Sequence, residues 1–193
     1  MSPALLQIPA AFGLAGATGL NATLPLLIVS LLARLGLIHL SQPYDALASD
    51  VAFYGLIVLA VVEFAIDKIP ALDSIGHAAM LPVATAAGAI LFASQTGAVS
   101  SMHPGLAVLI SLLAGGGIAA AVHVTRAAVR PVANMVLLGP PLSLLEDASS
   151  AALSLAATLA PIVVPFLLAL LALGAMLLWQ RRRGVRPSTT GAR

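Results

Sequence analysis

Glu63 and Asp67 lie four residues apart, Lys68 follows directly, and Asp73 comes just after Ile69-Pro70. On a helix the two carboxylates share one face. Carboxylates beside an amine can bind an ion, pass a proton or hold a polar headgroup. A second group is Arg126 and Arg130, also four apart, with His123 on a nearby face. The two guanidinium groups can pair with Glu63 and Asp67, or with Glu146 and Asp147. They can also hold a phosphate, whose oxygens they match bidentately. The third candidate is Asn21, a lone amide in an apolar segment that needs hydrogen-bond partners if buried.

Each group also has a plainer explanation. Asp67–Asp73 reads equally as a helix end with a local ion pair to Lys68 and a turn set by Pro70. Arg126 and Arg130 read as the basic flank of an apolar segment. Two glycine clusters, Gly16 with Gly19 and Gly115-Gly116-Gly117, are either close-packing positions or breaks in helices that line a site. His77 lies four after Asp73, as a proton-relay pair or as part of a capped helix start. His39 and His103 fall in loops. No histidine pair has metal-ligand spacing, and there is no cysteine, P-loop, nucleophile elbow or dinucleotide fingerprint. The motifs therefore predict no metal, no cofactor and no enzyme.

The elements that must position these residues are apolar. No Asp, Glu, Lys or Arg occurs between Ser74 and Thr125, in Met1–Ala33 or in Ala148–Gln180. Charged residues make up 8% of the chain and mean hydropathy is +1.06. A soluble domain carries about 25% charged residues, so this composition excludes an ordinary water-facing surface. The net charge of +2 resides in loops and a tail, which argues against a nucleic-acid partner. A membrane core about 30 Å thick takes about 20 apolar residues per helix.

On that scale the chain reads as an all-α, polytopic membrane helix bundle of about six spans. The first covers 4–38 and is interrupted by its glycines, Asn21 and Pro25. The second runs over 51–66, the third over 75–93, and the fourth from Pro104 to Arg126–Arg130. Pro131, Pro140 and Pro141 mark a broken connection. The fifth starts near Leu142 and the sixth covers 161–179. Residues 1–180 form one transmembrane domain, and 181–193 a basic tail. Trp179 beside Arg181-Arg182-Arg183 reads as an interfacial anchor. Lys68, Arg126, Arg130 and the tail fall on one side, which predicts cytoplasmic N and C termini.

Leu14-Ala15-Gly16 is echoed by Leu113-Ala114-Gly115, and Glu63 with Pro82 by Glu146 with Pro165 at equal spacing. These echoes suggest two inverted three-helix halves, 4–95 and 104–180, each opening on a Gly-broken helix, or else chance matches in Ala/Leu/Gly sequence. Under the first reading the two Gly clusters lie together near the membrane midplane. Glu63 then faces the interior against a polar group of the other half, with Arg126, Arg130 and Asn21 as leading partners.

The stretch Gly16-Ala-Thr-Gly19-Leu-Asn21-Ala-Thr-Leu-Pro25, followed by Glu63-Phe-Ala-Ile-Asp67-Lys68-Ile69-Pro70-Ala-Leu-Asp73, resembles the bacterial membrane family catalogued as domain of unknown function 4126. The specific part is the E-x-x-x-D-K-I-P-x-x-D element. The similarity runs from Phe12 through Arg130 and more weakly to Glu146. It implies a small multi-pass protein of the bacterial inner membrane and no activity.

Three functions compete. One is a transporter or lipid-carrier translocase with a polar site near Glu63, taking a small molecule, an ion or a lipid phosphate. The second is a non-transporting structural or accessory membrane protein whose charges only register helices. The third, an enzyme acting on lipid, lacks a nucleophile or metal cluster. Membrane lipids are the expected partners, together with a homo-oligomeric state and no nucleic acid. The pathway residues on this reading are Asn21, Glu63, Asp67, Lys68, Asp73, Arg126, Arg130 and Glu146.

Overall fold

A computed structural model describes residues 3–40, 42–95, 102–135, 138–167 and 169. Among them the chain is all-helical. The seven α-helices are α1 (Pro3–Leu20), α2 (Leu24–Arg34), α3 (Asp50–Lys68), α4 (Pro70–Gln95), α5 (Pro104–Ser111), α6 (Gly117–Met135) and α7 (Gly139–Leu159). A 3-10 turn, Tyr44–Ala48, precedes α3, and a π-helical turn, Leu112–Gly116, joins α5 to α6. The expected anchor at Trp179 and the basic tail lie outside the described residues.

Helix α1 sits at the centre, packed against α4, α6 and α7. Its residues Leu14 and Ala17 are fully buried, as are Leu91 of α4 and Ala119 of α6. Helix α2 leaves this core to pack on α3 and α7. It ends at Gly36, whose φ of +71° allows a left-handed turn. The Leu37 N–H then reaches the Leu32 carbonyl and the Gly36 N–H that of Ala33, both at 3.0 Å. This pairing closes the last turn of the helix. The Ser30 hydroxyl, which donates to the Leu47 carbonyl at 2.5 Å, ties the 3-10 turn to α2. Arg34 reinforces the tie through the Ala48 carbonyl and Asp50, at 2.9 and 2.7 Å.

Helices α3 and α7 expose most of their apolar residues and bury polar ones. On α3 the buried positions are Leu56, Glu63 and Asp67, while Val58 and Val61 are each 62% exposed. On α7 the buried positions include Ser143, Asp147, Ser150 and Ser154, one stripe at helical spacing, while Leu144, Leu145 and Leu155 are exposed. Water favours the opposite arrangement. One continuous helical run, 104–128, is long and apolar enough to cross a membrane, with mean hydropathy 2.2.

Three boundaries differ from the sequence reading. Gly16 and Gly19 are not breaks: they lie inside α1, and the chain breaks just beyond, at Asn21-Ala22-Thr23. Gly115, Gly116 and Gly117 do not break a helix either. The π turn carries α5 into α6 without interruption, and Gly115 and Gly116 serve packing. A Cβ on Gly88 of α4 would lie 2.7 Å from the Gly115 carbonyl oxygen and 3.0 Å from Thr18 Oγ1. Gly88 thus meets Gly115 and Thr18, while Gly16 faces Leu153 and Gly19 faces Val122 and Ala119. Finally, Pro131 falls within α6, and Pro140 and Pro141 within the first turn of α7. A missing N–H at a helix start is harmless, because the first turn has no intrahelical partner for it.

Candidate functional site

The break between α1 and α2 is built by two acceptors. Asn21 Oδ1 accepts from the Leu24 N–H at 2.8 Å and the Thr23 N–H at 3.1 Å. Glu63, arriving from α3, accepts from the Ala22 N–H at 2.9 Å through Oε1. Its Oε2 accepts from the Thr23 N–H at 3.0 Å and the Thr23 hydroxyl at 2.6 Å. The N–H groups of Ala22, Thr23 and Leu24 are thereby satisfied, and a carboxylate faces the positive end of that helix. Pro25 completes the start, since it has no N–H to satisfy.

One turn along α3 from Glu63, Asp67 accepts from Arg126 of α6. Arg126 Nε also donates to Glu146 Oε2 of α7, at 2.7 Å. Arg130 donates to the same Glu146 oxygen and lies 3.7 Å from Asp67 Oδ2. Two guanidinium groups on one face of α6 are therefore clasped between a carboxylate of α3 and a carboxylate of α7. Their side chains are 3% and 2% exposed, Asp67 4% and Glu146 11%.

The third part joins α3 to α7 and returns to the break. Lys68 Nζ donates to Asp147 Oδ2 and to the Ser143 hydroxyl, both at 2.7 Å. It also sits 3.8 Å above the Phe64 ring. The other Asp147 oxygen accepts from Asn21 Nδ2 at 3.0 Å. Deeper along α7, the Ser150 hydroxyl donates to the Ala17 carbonyl at 2.9 Å, within the last turn of α1. Four carboxylates (Glu63, Asp67, Glu146, Asp147) and three cations (Lys68, Arg126, Arg130) thus occupy one buried cluster, organised around a broken helix.

Asn21, Glu63, Asp67, Lys68, Arg126, Arg130 and Glu146 all meet in this cluster. Asp73 lies in the first turn of α4, and its side chain falls outside the described set, as does that of His77. One expected pairing is corrected. Glu63 does not meet Arg126, Arg130 or Asn21; Thr23 and the Ala22 N–H occupy its oxygens, and Asp67 takes the arginines instead. The cause is position, because Glu63 sits level with the break while Asp67 lies a turn nearer the arginines. Thr23 and Ser143 are residues that sequence reasoning passed over, and Asp147, expected only as a partner of the arginines, pairs with Lys68 and Asn21. The buried stripe Ser143, Asp147, Ser150 and Ser154 was the signal that could have found Ser143.

Two crevices flank the cluster. One, about 460 Å³, lies between α6 and α7, with Leu20, Val122, Leu142, Arg126 and Glu146 among its walls. The other, about 630 Å³, runs along α7 past Leu145, Ser149, Ala152 and Ala156 and shares Leu20 and Glu146 with the first. Among the described residues no group of three or more His, Cys, Asp or Glu side chains is placed to hold a metal ion.

The sequence profile of the family described as Domain of unknown function (DUF4126) matches residues 8–181. The match covers most of the chain, so the chain belongs to that family. No curated protein and no solved structure matches it.

Proposed function

We propose that this is a multi-pass protein of the bacterial inner membrane that moves a solute, as a transporter or lipid-carrier translocase, through the polar cluster at the α1–α2 break. One observation carries the reading: seven ionisable side chains from three helices converge on a broken fourth inside a bundle whose outer faces are apolar. Charge inside a membrane is expensive and marks ion or substrate pathways. Irregular backbone at that depth survives only where protein or a cavity surrounds it, which is the situation of Asn21–Thr23. The exposed faces of α3 and α7 suit hydrocarbon as solvent. The distribution of Lys and Arg supports six spans with both termini cytoplasmic.

A specific observation favours the second reading, a structural or accessory role. Glu63 is held by three donors and Arg126 by two carboxylates, so these groups already serve to fix the helix break and the register of α3, α6 and α7.

Reconstitution into liposomes decides between them. The panel is monovalent and divalent ions, small organic anions and cations, and lipid phosphates. Flux of at least one solute above that of protein-free vesicles is the expected result. Intact, correctly inserted protein that moves none of them overturns the transport reading and leaves the accessory one. Reporter fusions after Gln95 and after Arg193 should lie on opposite sides of the membrane.

A further inference from the structure

Glu146 differs from the other carboxylates of the cluster. Its Oε2 closes both Arg126 and Arg130, yet it is more exposed than Asp67 on the opposite side of the same guanidinium pair. It also forms a wall of both crevices, whereas Asp67 lines neither. Helices α6 and α7 otherwise touch only lightly, so the ion pairs of Glu146 are the main tie across that gap.

The crevices supply the rest of a binding site. From Leu145 to Ala156 the larger one follows α7 for about 16 Å at 1.5 Å per residue. Beyond Glu146 at its head, its lining along that length is apolar apart from Ser149. The combined shape has Arg126 in its wall at one end, with Arg130 behind it on the same Glu146 oxygen, and a hydrocarbon-lined channel leading from there. A soluble anion would have no use for the channel, and a neutral lipid none for the arginines. The occupant that fits both is an amphiphile with a phosphate headgroup and a long hydrocarbon chain.

We infer that a lipid phosphate docks between α6 and α7, its chain along Leu145–Ala156 and its phosphate replacing the Glu146 carboxylate on Arg126 and Arg130. This rests on the transport reading above and names its substrate class. The exchange is close to neutral in hydrogen bonds, because one anion takes the place of another on the same donors. Guanidinium groups suit it, since they bind carboxylate and phosphate with the same bidentate fork. Asp67 keeps its hold on Arg126 throughout and stops the pair from following the ligand. The released Glu146 then loosens the contact between α6 and α7, which links binding to movement of the helices.

Direct binding to the full chain in detergent or nanodiscs tests this apart from flux. The probes are phosphatidic acid, diacylglycerol and inorganic phosphate. Phosphatidic acid should bind, with diacylglycerol and inorganic phosphate weaker by about tenfold or more. Glu146→Gln removes the competing anion and should tighten phosphatidic acid binding about tenfold, the scale of one charge-assisted hydrogen bond no longer contested. Ala152→Trp fills the apolar channel without touching the charges and should weaken binding by a similar factor. If Glu146→Gln does not fold, the headgroup comparison and Ala152→Trp decide the matter. Equal binding of diacylglycerol, or binding of inorganic phosphate that matches the lipid and ignores Ala152→Trp, overturns the inference. So does an absence of binding by all three probes. Binding without flux in liposomes would sink the transport reading while leaving this site in place. Flux of a solute unaffected by phosphatidic acid, with no lipid bound, would do the reverse.

Discussion

Thr23 donates both its backbone N–H and its hydroxyl to one oxygen of Glu63, at 3.0 and 2.6 Å. A glutamate from α3 is in effect the N-terminal cap of α2. Capping is usually local, by a Ser, Thr, Asp or Asn at the helix start. Here the local cap is shared between Asn21 and a side chain forty residues away. The break in the first helix is therefore a tertiary feature, stable only when α3 is docked.

Glu63→Gln should thus destabilise the fold. The amide nitrogen would face at least one donor, and a charged acceptor is lost; each hydrogen bond to a charged group is worth about 1.5–3 kcal/mol. Thr23→Val should cost about 1 kcal/mol, for the hydroxyl alone. Because the two residues share a bond, the double variant should lose less than the sum of the singles. Thermal unfolding in detergent measures all three, and full additivity would show that the bond contributes nothing.

Arg126→Ala leaves Asp67 and Glu146 to share Arg130 alone in a buried site. Breaking one member of such a network typically costs about 3–5 kcal/mol. Adding Asp67→Asn should recover part of the loss, since an uncompensated charge goes with it. A double-mutant cycle on unfolding midpoints checks this. An Arg126→Ala variant as stable as the wild type would mean that water reaches the cluster.

Much of the cluster was legible in the chain. Carboxylates at 63 and 67 and arginines at 126 and 130 stand out because apolar sequence surrounds them, and a charge there must find a partner. The pairing was not legible. Glu63 and Asp67 share a helix face, and only the depth of the α1–α2 break assigns one to backbone donors and the other to arginines. Asn21 was recognisable as a buried amide in need of partners, but Thr23 looked like any small residue. The glycines misled for a related reason. A Gly run signals either a bend or a close approach, and which one applies depends on what faces it. Gly115 faces the backbone of Gly88, and nothing near Gly115 in sequence says so. The helix boundary at Gly139 was missed because Pro140 and Pro141 read as breakers, although a helix start accommodates them.

The contact across Gly88 makes a contrast with Gly117. A Cβ added at Gly88 would lie 2.5 Å from Ala119 Cβ and 2.7 Å from the Gly115 carbonyl oxygen. Gly88→Ala should force α4 from α6 and destabilise by about 1–3 kcal/mol. Nothing lies within 4 Å of a Cβ at Gly117. Gly117→Ala should therefore be neutral or stabilising by up to about 1 kcal/mol, through helix propensity. Unfolding midpoints of the two variants should move in opposite directions or differ by several degrees. Equal shifts would remove the close approach as the reason for Gly88.

The outward face of α3 provides the sharpest check on what surrounds the molecule. Val58 and Val61 are exposed, and Glu63 and Asp67 point inward from the same helix. Burying a polar stripe and exposing valines is unfavourable in water by about 25 cal/mol per Å² of apolar surface left wet. The same arrangement is favourable when hydrocarbon is the solvent. The chain has no cysteine, so single thiols can be placed without background. Val58→Cys and Val61→Cys should resist a charged maleimide in membranes, where the attacking thiolate does not form, and react with it after denaturation in detergent. Asp45→Cys, in the polar turn before α3, should react under both conditions. Rapid labelling of Val58→Cys and Val61→Cys by the charged reagent would place this face in water. The exposed valines would then need a protein partner to cover them, and the six-span reading would fail at its second helix.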